Sequence, residues 1–262
     1  TYDFRLDMRA LYQHLCNNHP RPEEPSYSLA IGLPTDSKLT TADLAARADE
    51  CLGVRKPAAR RTPEQARKLK TIVDVLKFPE TSVMSHLNWG TFTLRDVVEK
   101  NGGVGPLGND GVRYVGSSDD AVLNATIPRF KADPVTVTRF AADVDHQGRF
   151  AAPVVSAHAV NDATVFVEGQ DTLRQRMTAV SKGERLVQAF VDSKEHSYWG
   201  GAHYPPLFEA LLNWVDKGQK PTPAGIAQRC QQLHTVRATP TVDCAFLPDY
   251  TAQSLATRVF PR

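Results

Sequence analysis

Hydrophobic positions change their rhythm near residue 148 of this 262-residue chain. Before that point they recur at helical spacing. From Asp3 to Cys16, the side chains Phe4, Met8, Leu11, Tyr12 and Leu15 fall three or four apart, which predicts an amphipathic helix. Residues 17–38 are rich in proline and polar side chains and read as an ordered loop. Thr62-Pro63-Glu64-Gln65 is a helix start: a Thr N-cap, Pro at the first helical position, and Gln placed to close a capping box. The helix it opens is expected to bury Leu69, Ile72, Val73 and Leu76. NGGVGPLGNDG (101–111) reads as a glycine-rich loop, Ser118-Asp119-Asp120 as a further cap, and Pro134 as the opening of the next helix.

Beyond residue 148 the pattern alternates between kinds of element. Pro153 to His158 is a short apolar run suited to a buried strand, followed by a loop over 158–164. Residues 171–180 predict a helix with Leu173, Met177 and Val180 on one side and Gly183 as its stop. LVQAFV (186–191) predicts a second strand, and 206–216 a helix with Leu207, Leu211, Leu212 and Val215 on a shared face. Strand, helix, strand, helix makes an α/β unit with parallel strands. From Gln219 onward the chain reads as Pro-rich irregular structure with a short helix around 224–232. The expected fold class is therefore α/β, with a mostly helical block over 1–147 and the end of an α/β sheet over 148–262. Two parallel strands are fewer than an independent parallel sheet contains, so further strands are expected from elsewhere.

Composition narrows the function classes. Hydrophobic residues are 41% and charged residues 23%, ordinary for a globular chain. No apolar run approaches about 18 residues, so no membrane span is expected. Lys+Arg 31 against Asp+Glu 29 leaves +2 with no basic stripe, which disfavours a nucleic-acid partner. The four cysteines form no CxxC pair. They lie as one pair toward each end, which predicts two local disulfides, Cys16 with Cys51 and Cys230 with Cys244, and an oxidising, secreted or periplasmic location. The opening TYDFRLDMRA is charged and shows no signal peptide, so a leader has been removed or the residues belong to a longer product. The glycine-rich loop contains Pro106 and lacks a following GK[ST], and no HExxH occurs, so neither a cofactor nor a metal is expected.

The candidate chemistry lies after the two strands, where α/β sheets place their ligands and catalytic groups. Asp162 follows the first strand and His196 the second. An acid after one strand and a His after the next is the second half of a Ser–Asp–His triad in α/β-hydrolase order. Such a pair serves a weak nucleophile: the imidazole takes its proton, and the carboxylate fixes the imidazole's tautomer. His203 competes with His196 for the base, Glu168 is the reserve acid, and the alternative for Asp162 is an Asx-turn or helix-capping residue, disfavoured by its place after a buried strand. Tyr198 and Trp199 are candidates to line a substrate pocket. His158 reads as a packed or hydrogen-bonded loop residue.

The segment HSYWGGAHYPPLFEALLNWVDKGQKPTP (196–223) resembles the C-terminal signature of secreted α/β-hydrolases of the tannase, feruloyl esterase and polyester depolymerase type. In that signature a catalytic His is followed by a loop, an amphipathic helix ending in Trp, and a G-x-x-P turn, here His196, Trp214, Gly218 and Pro221. PVVSAHAVNDATVFVEGQ (153–170) is similar to the segment carrying the family's acid, which maps to Asp162. The region from Met8 to Val54 looks like the lid insertion of some members. The resemblance implies a serine hydrolase acting on carboxylic esters. Two features depart from it. Ser197 stands where many members carry a Cys, and no G-x-S-x-G occurs; Gly116-Ser117-Ser118 lacks the strand and glycines that an elbow needs. The nucleophile is accordingly expected on a separate N-terminal hydrolase chain. Two further readings are a non-catalytic binding or regulatory protein on the same scaffold, and an amidase using the same triad. Thr1 as an N-terminal nucleophile is disfavoured because the residues after it read as helix rather than strand.

Overall fold

The computed structural model describes residues 2–16, 32–237 and 244–255. Thr1 and most of the loop expected over 17–38 lie outside the described residues. Within them the fold is mixed α/β and mostly helical, with one two-stranded parallel sheet. The chain divides between Asp145 and His146 into two compact units.

The first unit is helical. Helix α1 (Tyr2–Cys16) is joined through the Cys16–Cys51 disulfide to α2 (Thr41–Leu52). Thr40 and Asp43 close a capping box at the start of α2, and Gly53 ends it in the left-handed conformation. Helix α3 (Pro63–Leu76) starts on the Thr62/Gln65 capping box. Its buried face is Leu69, Ile72, Val75 and Leu76, with Val75 in place of the expected Val73. Helices α4 (Val83–Asn88) and α5 (Leu94–Lys100) are joined by a π-helical turn, Trp89–Thr93. Helices α6 (Asp120–Thr126) and α7 (Pro134–Val144) begin on Asp119 and Asp133, whose side chains accept from Val122 N and Thr136 N.

Helix α1 departs from the expected amphipathic pattern: every residue from Phe4 to Tyr12 is buried, including Arg5, Asp7 and Arg9. Buried charges are tolerated only with partners. Asp7 accepts a 2.7 Å bond from the Tyr114 hydroxyl, Arg9 Nη1 donates to Thr91 Oγ1 at 3.3 Å, and the Arg5 guanidinium lies 4.1 Å from the Trp89 ring centroid. The π turn can approach α1 because residue 90 is Gly; a Cβ there would sit 2.4 Å from the Arg5 carbonyl oxygen. The glycine-rich loop is organised by Asn109. This buried side chain donates to Tyr114 Oη at 3.0 Å and Pro128 O at 2.9 Å, and accepts from Phe130 N at 2.7 Å.

The second unit contains the sheet. Strands β1 (Val154–Ala159) and β2 (Leu186–Val191) pair in parallel, in register from Val154 with Leu186 to Ala159 with Val191. Helix α8 (Gly169–Ala179) connects them. Its stop is Ser181, in the left-handed conformation, rather than Gly183: Lys182 N reaches Met177 O at 2.8 Å and Ser181 N reaches Thr178 O at 3.0 Å, a Schellman closure. Helices α9 (Tyr204–Lys217) and α10 (Pro223–Arg237) follow, α10 being longer than the sequence predicts. The core packs Val187, Ala189 and Val191 of β2 against Ile226, Cys230 and Phe246. From α9, Leu207, Ala210 and Trp214 pack onto this cluster, whereas Phe208, Leu212 and Val215 are exposed. The face expected from the sequence is therefore only partly the packed one. Helix α9 is apolar on more than one side, so its periodicity does not select which side meets the sheet.

The tail expected to be irregular closes the outer edge of β2. Phe246 forms an antiparallel bridge to Val191, Asp192 N donates to Ala245 O and Leu247 N donates to Phe190 O, both at 2.8 Å. The Cys230–Cys244 disulfide fastens this segment to α10. Among the described residues, β1 has a sheet neighbour on one side only, and its first five residues are just half-buried.

Candidate active site

The loops leaving β1 and β2 are stapled together. Val160 N donates to Val191 O at 3.0 Å, Asn161 N to Ser193 O at 3.0 Å, and Asn161 Nδ2 to Asp192 Oδ1 at 3.2 Å. These bonds extend the register of the sheet past its last residues. They bring Asp162 and His196 to the same place: His196 Nδ1 lies 2.8 Å from Asp162 Oδ2.

Asp162 is both of the things its position allows. Its Oδ1 accepts from Thr164 N at 2.7 Å and Val165 N at 3.1 Å, an Asx-type turn that fixes the carboxylate plane. Oδ2 is left for the imidazole. The Asp162 side chain is 3% exposed and that of His196 49%. An ionised carboxylate only accepts, so the Nδ1 of His196 carries the hydrogen and the lone pair resides on Nε2. No described residue bonds that Nε2, on the half-exposed side of the ring. A pair in this state can take a proton from a hydroxyl presented at Nε2 and stabilise the resulting imidazolium.

The His196 loop is held from within. Trp199 Nε1 donates to Glu195 O at 2.8 Å and the Tyr204 hydroxyl to Ser197 O at 2.8 Å, so the carbonyls on either side of His196 are both anchored. The Trp199 and Tyr204 rings stack, with centroids 5.9 Å apart and planes 4° from parallel. Trp199 thus has its indole N–H and one ring face engaged within the loop and packs against the sheet cluster. Tyr198 points into solvent, 84% exposed.

The competing residues are placed elsewhere. His203 is buried at the start of α9; its Nε2 accepts from Ala245 N at 3.2 Å and its ring meets Phe246 edge-on. Burial pushes its pKa below the ordinary histidine value. With its acceptor nitrogen occupied, His203 is a pin between α9 and the 244–247 segment and has no lone pair to offer a hydroxyl. Glu168 is buried where α8 begins, and the carboxylate bonded to His196 is that of Asp162. Ser117, the nearest approach to a nucleophile motif, donates its hydroxyl to Asp120 at 2.6 Å as part of the α6 start. Among the described residues no cluster of three or more His, Cys, Asp or Glu side chains is placed to hold a metal ion.

Sequence reasoning passes over a polar layer behind Asp162. Ser156 and His158 on β1, Gln188 on β2 and Gln170 on α8 are linked by hydrogen bonds. The signal is present: polar residues alternate with apolar ones along β1, and Gln188 interrupts the run LVQAFV in register with Ser156. No protein-family model matches this chain, no curated protein matches it in sequence, and no solved structure matches its fold.

Proposed function

We propose that these residues carry the acid–base half of a serine hydrolase acting on carboxylic esters, with the nucleophilic Ser on polypeptide N-terminal to them. His196 is the general base and then the general acid, and Asp162 orients it. The observation that carries the reading is the 2.8 Å bond from a buried Asp carboxylate to a half-exposed imidazole, at the ends of adjacent parallel strands. The sheet supports the same conclusion. Among the described residues the end of β2 pairs with residues 245–247, β1 has a sheet neighbour on one side only, and Phe208, Leu212 and Val215 of α9 are exposed. The missing strands of an α/β-hydrolase sheet would cover the latter two. The helical residues up to 147 would then be the lid, and the two disulfides fit a secreted or periplasmic enzyme.

A serine-directed phosphonate probe applied to the protein isolated from its native source tests this. Labelling of a Ser on co-purifying or contiguous N-terminal polypeptide is the expected result. Absence of labelling in every state contradicts the enzyme reading and favours a binding protein on the same scaffold.

A further inference from the structure

The geometry points to His158 as a positioning residue for Asp162, an inference that rests on the acid–base reading above. Its ring lies near the same carboxylate that His196 bonds. His158 Nε2 is 2.8 Å from Val165 O and 3.6 Å from Asp162 Oδ2, the oxygen that His196 uses. Val165 is also the residue whose N–H bonds Asp162 Oδ1. His158 therefore holds, through the Val165 carbonyl, the residue that closes the turn orienting the carboxylate, and its Nε2 stands near the carboxylate itself.

The tautomer of His158 follows from the groups behind it. Gln170 Oε1 accepts from Ser156 Oγ at 2.9 Å and Gln188 Nε2 at 3.1 Å. With the amide oxygen so occupied, the Gln170 amide nitrogen faces His158 Nδ1 at 3.4 Å and donates to it. A proton accepted at Nδ1 leaves the ring hydrogen on Nε2, directed at Val165 O. Gln188 also donates to Gln170 O at 2.8 Å, which ties the arrangement to β2. The groups facing His158 are thus Gln170 from α8, Asp162 and Val165 from the turn, and Ser156 and Gln188 through Gln170. Mostly shielded from solvent (13% exposed), His158 holds one orientation. Its role is to keep Asp162 Oδ2 aimed at His196 Nδ1, without touching substrate.

Proton NMR of the full chain reads this directly, because an imidazole N–H bonded to a carboxylate gives a resolved low-field resonance. Wild type is expected to show that signal for His196, and both His196→Ala and Asp162→Asn to lack it. His158→Leu is expected to lose it, whereas His158→Gln, which retains a donor for Val165 O, keeps it. Gln170→Leu, which leaves the His158 ring in place but removes its lock, is expected to lose much of its intensity. That variant carries the test should His158→Leu not fold, as judged by circular dichroism. Survival of the signal in His158→Leu, or in Gln170→Leu where that variant decides, overturns the role of His158 and leaves the Asp162–His196 pair standing. Loss in His158→Gln as well as His158→Leu, with both folded, makes His158 a packing residue and also overturns it. A wild-type protein without the signal contradicts the pair itself and so the function proposed from it.

Discussion

Two histidines of the second unit show how environment decides what an imidazole does. His196 has its Nδ1 on a buried carboxylate and its Nε2 toward solvent, whereas His203 has its Nε2 consumed by Ala245 N and its ring enclosed. Burial lowers the pKa of His203, so the unfolded chain takes up that proton more readily than the folded one. The stability this confers is complete above the unfolded value of about 6.5 and is lost as pH falls below it. Unfolding free energy measured between about pH 7 and 5 is expected to drop with acidification, by up to about 1.4 kcal/mol per pH unit for one proton. His203→Gln, which keeps an acceptor for Ala245, flattens that slope; an unchanged slope contradicts the assignment. His14, whose pKa burial also lowers, contributes equally to both proteins and cancels in the comparison. Asn109 makes a second point. Its amide satisfies three groups of a glycine-rich loop that a motif search would test for phosphate binding. Asn109→Ala leaves buried donors and acceptors unpaired and is expected to cost about 1–3 kcal/mol in a denaturant titration.

The segments whose structure is decided locally are the ones legible along the chain. The Thr62/Gln65 capping box, the Asp119 and Pro134 starts and the two strands depend on neighbours a few residues away, and all are found where the pattern predicts them. Asp162 and His196 are singled out by their places after β1 and β2, and parallel pairing brings those places together. What packs against a helix is not local information. The helical spacing along α1 says nothing of what its charges meet, and Asp7 and Arg9 meet Tyr114 and Thr91, 107 and 82 residues away in sequence. The sheet edge formed by residues 244–247 is equally hidden, because one bridge at Phe246 has no period. Its attachment rests on the Cys230–Cys244 disulfide, which closes a loop of 14 residues. Replacing both cysteines by Ser is expected to destabilise the second unit by about 3 kcal/mol. It is also expected to speed hydrogen exchange at Leu247 N–H and Asp192 N–H ahead of the β1–β2 ladder. Exchange at those two amides no faster than in wild type contradicts the clasp.

For the molecule as a whole, the two edges of the sheet differ among the described residues: the end of β2 pairs with residues 245–247, whereas β1 has a sheet neighbour on one side only. On the proposed reading the triad is divided, with its base and acid on these residues and its nucleophile on others. The chain by itself is then expected to be inactive toward esters. On the reading proposed above, turnover of a small aryl ester by the protein isolated from its native source is the decisive measurement. Replacing His196 by Ala is expected to lower kcat by about 10⁴-fold or more, as loss of a triad base does, with Asp162→Asn falling to a similar degree. Near-normal turnover in the His196→Ala protein contradicts His196 as the general base.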